Sequence, residues 1–127
     1  MPANNTKPIA EKWAWHYRTL QQLRRRLAGE RDEHKQESAV ISEIEPSTAG
    51  FADTVSDRNE RDVLAAALAL EEGMLVEIDA ALERIREGTY GMCELTGKTI
   101  PDERLRALPW TRFTREAAEQ LEKNRRR

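Results

Sequence analysis

Apolar residues recur along two long stretches at the alternating three- and four-residue steps of a helix that buries one narrow stripe. The clearer stretch is the second. Leu64, Leu68, Glu71, Leu75, Ile78, Leu82 and Ile85 step by 4, 3, 4, 3, 4 and 3 residues, and six of these seven are apolar. That is a coiled-coil seam rather than a broad globular face. In the first stretch Trp13, Leu20, Leu27, His34 and Ile41 are seven apart, with Leu23 and Ile44 at the companion position. His34 reads as a tolerated polar residue of the seam, which weakens between Glu30 and Ser38 where polar residues fill it.

Boundary residues punctuate the two helices. The first is predicted to start near Pro8, with Thr6 as its cap, and to run to about Ile44. Pro46 ends it, because proline lacks an amide donor and disfavours helix in the residue before it. Residues 46–56 read as a turn. Asp57, with Glu60 three residues on, resembles a capping box at the start of the second helix. Gly88 is a natural stop, since glycine enters the left-handed region without a Cβ clash. Helices of these lengths are ~50 and ~45 Å long at 1.5 Å per residue. A short connection folds such neighbours antiparallel. The predicted class is therefore all-α: a disordered 1–7, a long antiparallel helical hairpin over 8–88 with its tip at 46–56, and a small module over 89–127.

The pattern changes after Gly88. Tyr90 to Pro101 sets turn residues between short apolar runs, which predicts a small β-hairpin or knuckle. Asp102 to Leu108 reads as a helical turn broken by Pro109. A last helix covers about Thr114 to Lys123, with Ala117, Ala118 and Leu121 on one face.

Composition narrows the classes. Of 127 residues, 35% are charged and 39% hydrophobic. No apolar run approaches the ~20 residues of a membrane span, and no apolar segment of a secretory signal follows the N-terminus. The expected compartment is the cytoplasm. One cysteine makes no intramolecular disulfide. The net charge of -2 hides a polarity: residues 1–29 sum to +5, 30–62 to -6, 63–88 to -4, and 110–127 to +3. A chain that doubles back at its middle thus has an acidic tip and more basic ends. Asp53 and Asp57 are its candidate tip acids, and Asp57 is equally a candidate helix cap. No Ser-His-Asp or Cys-His arrangement, phosphate-binding glycine loop or paired-carboxylate pocket is present, so an enzyme is not expected.

The order Gly88-Thr89-Tyr90-Gly91-Met92-Cys93, Thr96-Gly97-Lys98, Ile100-Pro101, Arg104-Leu105 and Pro109, after a helical hairpin and before a basic helix, resembles the DksA/TraR family. The resemblance spans roughly residues 10–123 and is most specific between Leu82 and Leu121. It implies a bacterial transcription regulator that binds RNA polymerase, inserts its coiled coil into the secondary channel and brings acidic tip residues near the catalytic centre, often together with ppGpp, without reading DNA sequence. Asp53 and Asp57 are then the polymerase-tip candidates. Phe51 either anchors the loop or touches polymerase. Arg104, Arg112 and Arg115 are candidate contacts to polymerase or a phosphate ligand, and the run Arg24 to Arg26 is a candidate contact to the acidic polymerase rim, against the plainer reading of solvated arginines.

One departure is large. The family's zinc finger pairs Cys-x-x-Cys with a second pair about twenty residues on. Cys93 keeps the first position, whereas the others fall at Thr96, Thr114 and Ala117. Threonine and alanine are not zinc ligands, and His16 and His34 lie on the first helix, poorly placed to substitute. No zinc is expected, and Cys93 reads as a relic packed in the knuckle. Tyr90, Leu105, Leu108, Trp110 and Phe113 are the expected knuckle core, with Trp13, Trp15 and Tyr17 of the first helix docking against it. The rival to the polymerase reading is a structural coiled-coil adaptor that keeps the fold without binding polymerase.

Overall fold

The computed structural model describes residues 8–43 and 55–126, with side chains from residue 58 onward in the second segment. Thr6, Phe51 and Asp53, and all of the turn but its last two residues, lie outside this set. Among these residues four α-helices follow in order: α1 Ala14–Glu43, α2 Val55–Glu87, α3 Asp102–Ala107 and α4 Arg115–Arg125. The first two form a long antiparallel pair. No strand occurs among the described residues; the predicted knuckle contains one isolated antiparallel bridge, Met92 to Thr99.

Helix boundaries differ from the sequence expectation in three places. Pro8 does not open α1. A single 3-10 turn, Glu11–Trp13, precedes it, closed by the Trp13 amide on the Ala10 carbonyl at 2.9 Å. Helix α2 already runs at Val55, so Asp57 sits within its first turn rather than before it. Helix α4 begins one residue later than expected, because Thr114 is its N-cap: the Thr114 hydroxyl accepts the Ala117 amide at 3.2 Å. At the end of α2 the expectation holds. Gly88 has φ 84°, and the Thr89 amide reaches back to the Arg84 carbonyl at 2.9 Å, the 6→1 bond of a Schellman ending.

Contacts divide the chain into two compact units, residues 24–76 and residues 1–23 with 77–127. The division cuts across both long helices rather than at Gly88. Within residues 24–76, Leu64 and Leu75 of α2 are buried, and Leu27 and Ile41 of α1 are half-buried. Lys35 and Arg31 both pair with Glu72, at 3.5 and 3.8 Å. The other unit holds most of the buried apolar side chains. Leu20, Ile78, Ala81, Leu82 and Ile85 from the helix pair are buried with Tyr90, Cys93, Ile100, Leu105 and Ala117.

Candidate functional site

Gly91 lets residues 89–101 fold against Trp13, in the turn that leads into α1. Its φ is 88°, and a Cβ there would lie 3.1 Å from two atoms of the Trp13 indole. Only glycine combines this backbone with so close an approach. Trp13 then packs edge-on against Tyr90, with ring centroids 4.8 Å apart, and against His16 at 5.1 Å. The Tyr90 hydroxyl donates to the Pro109 carbonyl at 2.8 Å, so one side chain spans the module. Burial pushes the Tyr90 hydroxyl well above its ordinary pKa. It therefore stays a donor.

His16 was not expected in this core. It is 1% exposed, enclosed by Trp13, Trp15 and Tyr90. Its Nε2 lies 3.2 Å from Asp102 Oδ1 at the start of α3, while its buried Nδ1 has no hydrogen-bond partner. Burial lowers its pKa, Asp102 partly opposes this, and the Arg106 charge adds to it. Asp102 also binds Arg106 at 2.8 Å, and that bond holds its carboxyl below the ordinary value. Arg106 in turn lies over the Trp15 ring at 4.8 Å.

The four finger positions converge. Cys93 is buried, with its Sγ 3.8 Å from the Thr114 hydroxyl. Burial pushes the Cys93 thiol up, but hydrogen bonds from the Thr96 hydroxyl and from the backbone at Thr114, Thr96 and Leu95 outweigh it and bring the thiol to about 6. Ala117 is buried beside them, and Thr96 is exposed. Their donor set is one thiol, two hydroxyls and a methyl group, which does not fit a structural zinc. Among the described residues no group of three or more His, Cys, Asp or Glu side chains is placed to hold a metal ion.

The knuckle residues separate by depth. Tyr90 and Leu105 are buried, whereas Leu108, Trp110 and Phe113 are only half-buried. Ile100, part of the family pattern but not of the expected knuckle core, is 2% exposed. The backbone carbonyls of Trp110 and Phe113 each hold an arginine. The Trp110 carbonyl accepts from Arg84 at 3.2 Å, and the Phe113 carbonyl from Arg104 Nε at 2.9 Å. Of the three candidate contact arginines, Arg104 is thus tied to the backbone and half-buried. Arg112 is paired with Glu77 and Glu94. Arg115 is mostly exposed and meets Glu119 at 3.4 Å. Asp53 lies outside the described residues, and Asp57 is placed by its backbone alone.

Known proteins match this arrangement. Residues 88–123 fit the family described as the prokaryotic dksA/traR C4-type zinc finger. The RNA polymerase-binding transcription factor DksA of Caulobacter vibrioides is 31% identical over 124 residues, covering 94% of this chain and 87% of that protein. An uncharacterized protein of Aquifex aeolicus is 52% identical over 54 residues; this match spans 37% of that protein's length. The structure of transcription factor DksA2 from Pseudomonas aeruginosa superposes with a TM-score of 0.73 at 29% identity, covering 89% of this chain and 84% of that one.

Proposed function

We propose that this chain, which belongs to the DksA/TraR family, is a non-enzymatic regulator of transcription that binds RNA polymerase. The observation that carries this reading is the near full-length match to the Caulobacter factor, which takes in the helix pair as well as the finger module. The fold agrees, with an antiparallel pair of 30- and 33-residue helices. The pair enters the secondary channel, and the acidic turn between α1 and α2 reaches the catalytic centre. There Asp53 and Asp57 act by charge on bound Mg²⁺ and mobile loops. Arg115, exposed on α4, is the best placed of the candidate arginines to meet polymerase. Arg104 and Arg112 support the module instead. A ppGpp site at the polymerase interface belongs to the same reading, as do a cytoplasmic location and the lack of sequence-specific DNA contacts.

The test is a binding assay with purified bacterial core polymerase, run beside open-complex lifetime at a responsive promoter. The parent binds and changes the lifetime. Asp53→Asn keeps its affinity, set by the rest of the chain, and loses the effect on lifetime. A parent that neither binds polymerase nor alters the lifetime is an adaptor with a regulator's fold.

A further inference from the structure

A C4 finger is closed by its metal, which ties two chain segments through four thiolates. Here one thiolate remains, yet the segments stay together. The Cys93 to Thr114 separation of 3.8 Å matches the ~3.8 Å edge of a tetrahedron whose ligands lie about 2.3 Å from a zinc ion. That one edge of the cage has kept its length without the ligands. The direct contact across it is a single one, the Cys93 sulfur against the Thr114 hydroxyl.

Stronger ties lie beside the cage. The Glu94 amide, next to Cys93, donates to the Arg112 carbonyl at 2.8 Å. Arg112 Nη1 donates to both Glu94 carboxylate oxygens, at 3.2 and 3.3 Å, and Arg112 Nε donates to Glu77 of α2 at 2.6 Å. Arg84, also of α2, donates from Nη2 to the carbonyls of Trp110 and Thr111, at 3.2 and 3.3 Å. Its Nη1 has no hydrogen-bond acceptor but lies 3.6 Å from the Glu94 carboxylate. Acid and base alternate along the row, so Arg112 lies between two carboxylates, Glu77 and Glu94, and Glu94 lies between two arginines. Charge-assisted bonds of this kind are about twice as strong as neutral ones, and the guanidinium fork supplies several donors from one side chain.

We propose that the Glu77–Arg112–Glu94–Arg84 lattice performs the cross-link that zinc performs in a C4 finger, and closes this module without metal. The mechanical work of the ligand positions 93, 96, 114 and 117 has then passed to side chains one to two positions away and to α2. Unlike a zinc that joins the two finger segments to each other, the lattice joins both to α2 through Arg84 and Glu77.

Amide hydrogen exchange on the full chain tests this. Chelator leaves the protection of the Cys93, Glu94 and Ile100 amides unchanged in the parent. Arg112→Gln speeds exchange at these amides at least about tenfold and leaves residues 24–43 as in the parent. Arg112→Lys, which keeps the charge but not the fork, gives the same local loss in milder form and supplies the reading where Arg112→Gln does not fold. Adding Thr96→Cys, Thr114→Cys and Ala117→Cys together restores four thiolates; this protein binds one zinc, and zinc returns protection to the Arg112→Gln background. Loss of protection on chelating the parent overturns the proposal. So does parent-like exchange in both Arg112 variants, or a four-cysteine protein that binds no zinc.

Discussion

His34 and Glu71, a polar residue from each of the two helix seams, face each other, with His34 Nδ1 2.8 Å from one Glu71 oxygen and 3.0 Å from the other. Each looks like a flaw in its own heptad. Together they form a half-buried ion pair inside a coiled-coil interface, where a polar pair sets register more than it adds stability.

The Glu71 hydrogen bond raises the His34 pKa above its ordinary 6.5. A histidine raised in the folded state contributes stability that is complete below its unfolded value and is lost as pH rises through the folded value. Residues 24–76 should therefore weaken on the alkaline side of 6.5. An NMR titration of the His34 ring, repeated in Glu71→Gln, checks this. The raised value should fall in the variant, and its pH-dependent stability should flatten.

His16 should behave in the opposite sense. Its pKa is lowered by burial, so the folded form resists protonation and the unfolded form does not. Its contribution is complete above 6.5 and is lost as pH falls toward the folded value. Exchange of the Tyr90 and Leu105 amides should quicken in mild acid. His16→Phe, which cannot take up a proton, should remove that acid dependence.

Gly91→Ala should destabilise more than Gly88→Ala. Both glycines have positive φ, and the left-handed backbone costs about 1–2 kcal/mol for a residue with a Cβ. At Gly88 nothing lies within 4 Å of the added carbon, whereas at Gly91 it meets the Trp13 indole at 3.1 Å. Urea unfolding should show the Gly91 variant worse, with the Trp13 fluorescence altered. Equal losses would mean that the indole moves aside freely.

Thr114→Ala should cost roughly 0.5–2 kcal/mol, the usual value of an N-cap, and Thr114→Ser should recover most of it. The hydroxyl caps α4 through the Ala117 amide, so the loss should appear as fraying of Arg115–Arg125 by amide exchange.

Truncating the core should rank the aromatic and aliphatic residues differently from their size. Leu105 is 1% exposed, and Leu105→Ala should cost about 2–5 kcal/mol. Trp110 is only half-buried, and its carbonyl, which Arg84 holds, survives the substitution. Trp110→Ala should cost less than Leu105→Ala. Thermal unfolding of the two variants decides the order.

The sequence alone determined what depends on local chemistry. Three- and four-residue spacing places one stripe on one helix face, so the two long helices and the buried run from Leu64 to Ile85 were legible. Gly88 and Pro109 marked breaks through their own backbone limits. The missing thiolates followed from residue identity. Tertiary structure decided what faces each stripe. His16 finds Asp102 86 residues away, His34 finds Glu71 at 37, and Arg112 finds Glu77 at 35. No periodicity encodes such pairs, because spacing fixes a side chain's direction from its own axis and not what the chain brings back to meet it. Depth in the module was hidden for the same reason. Trp110 and Phe113 have the area to anchor a core, but the close approach of Gly91 to Trp13 centres that core on Tyr90, Ile100 and Leu105.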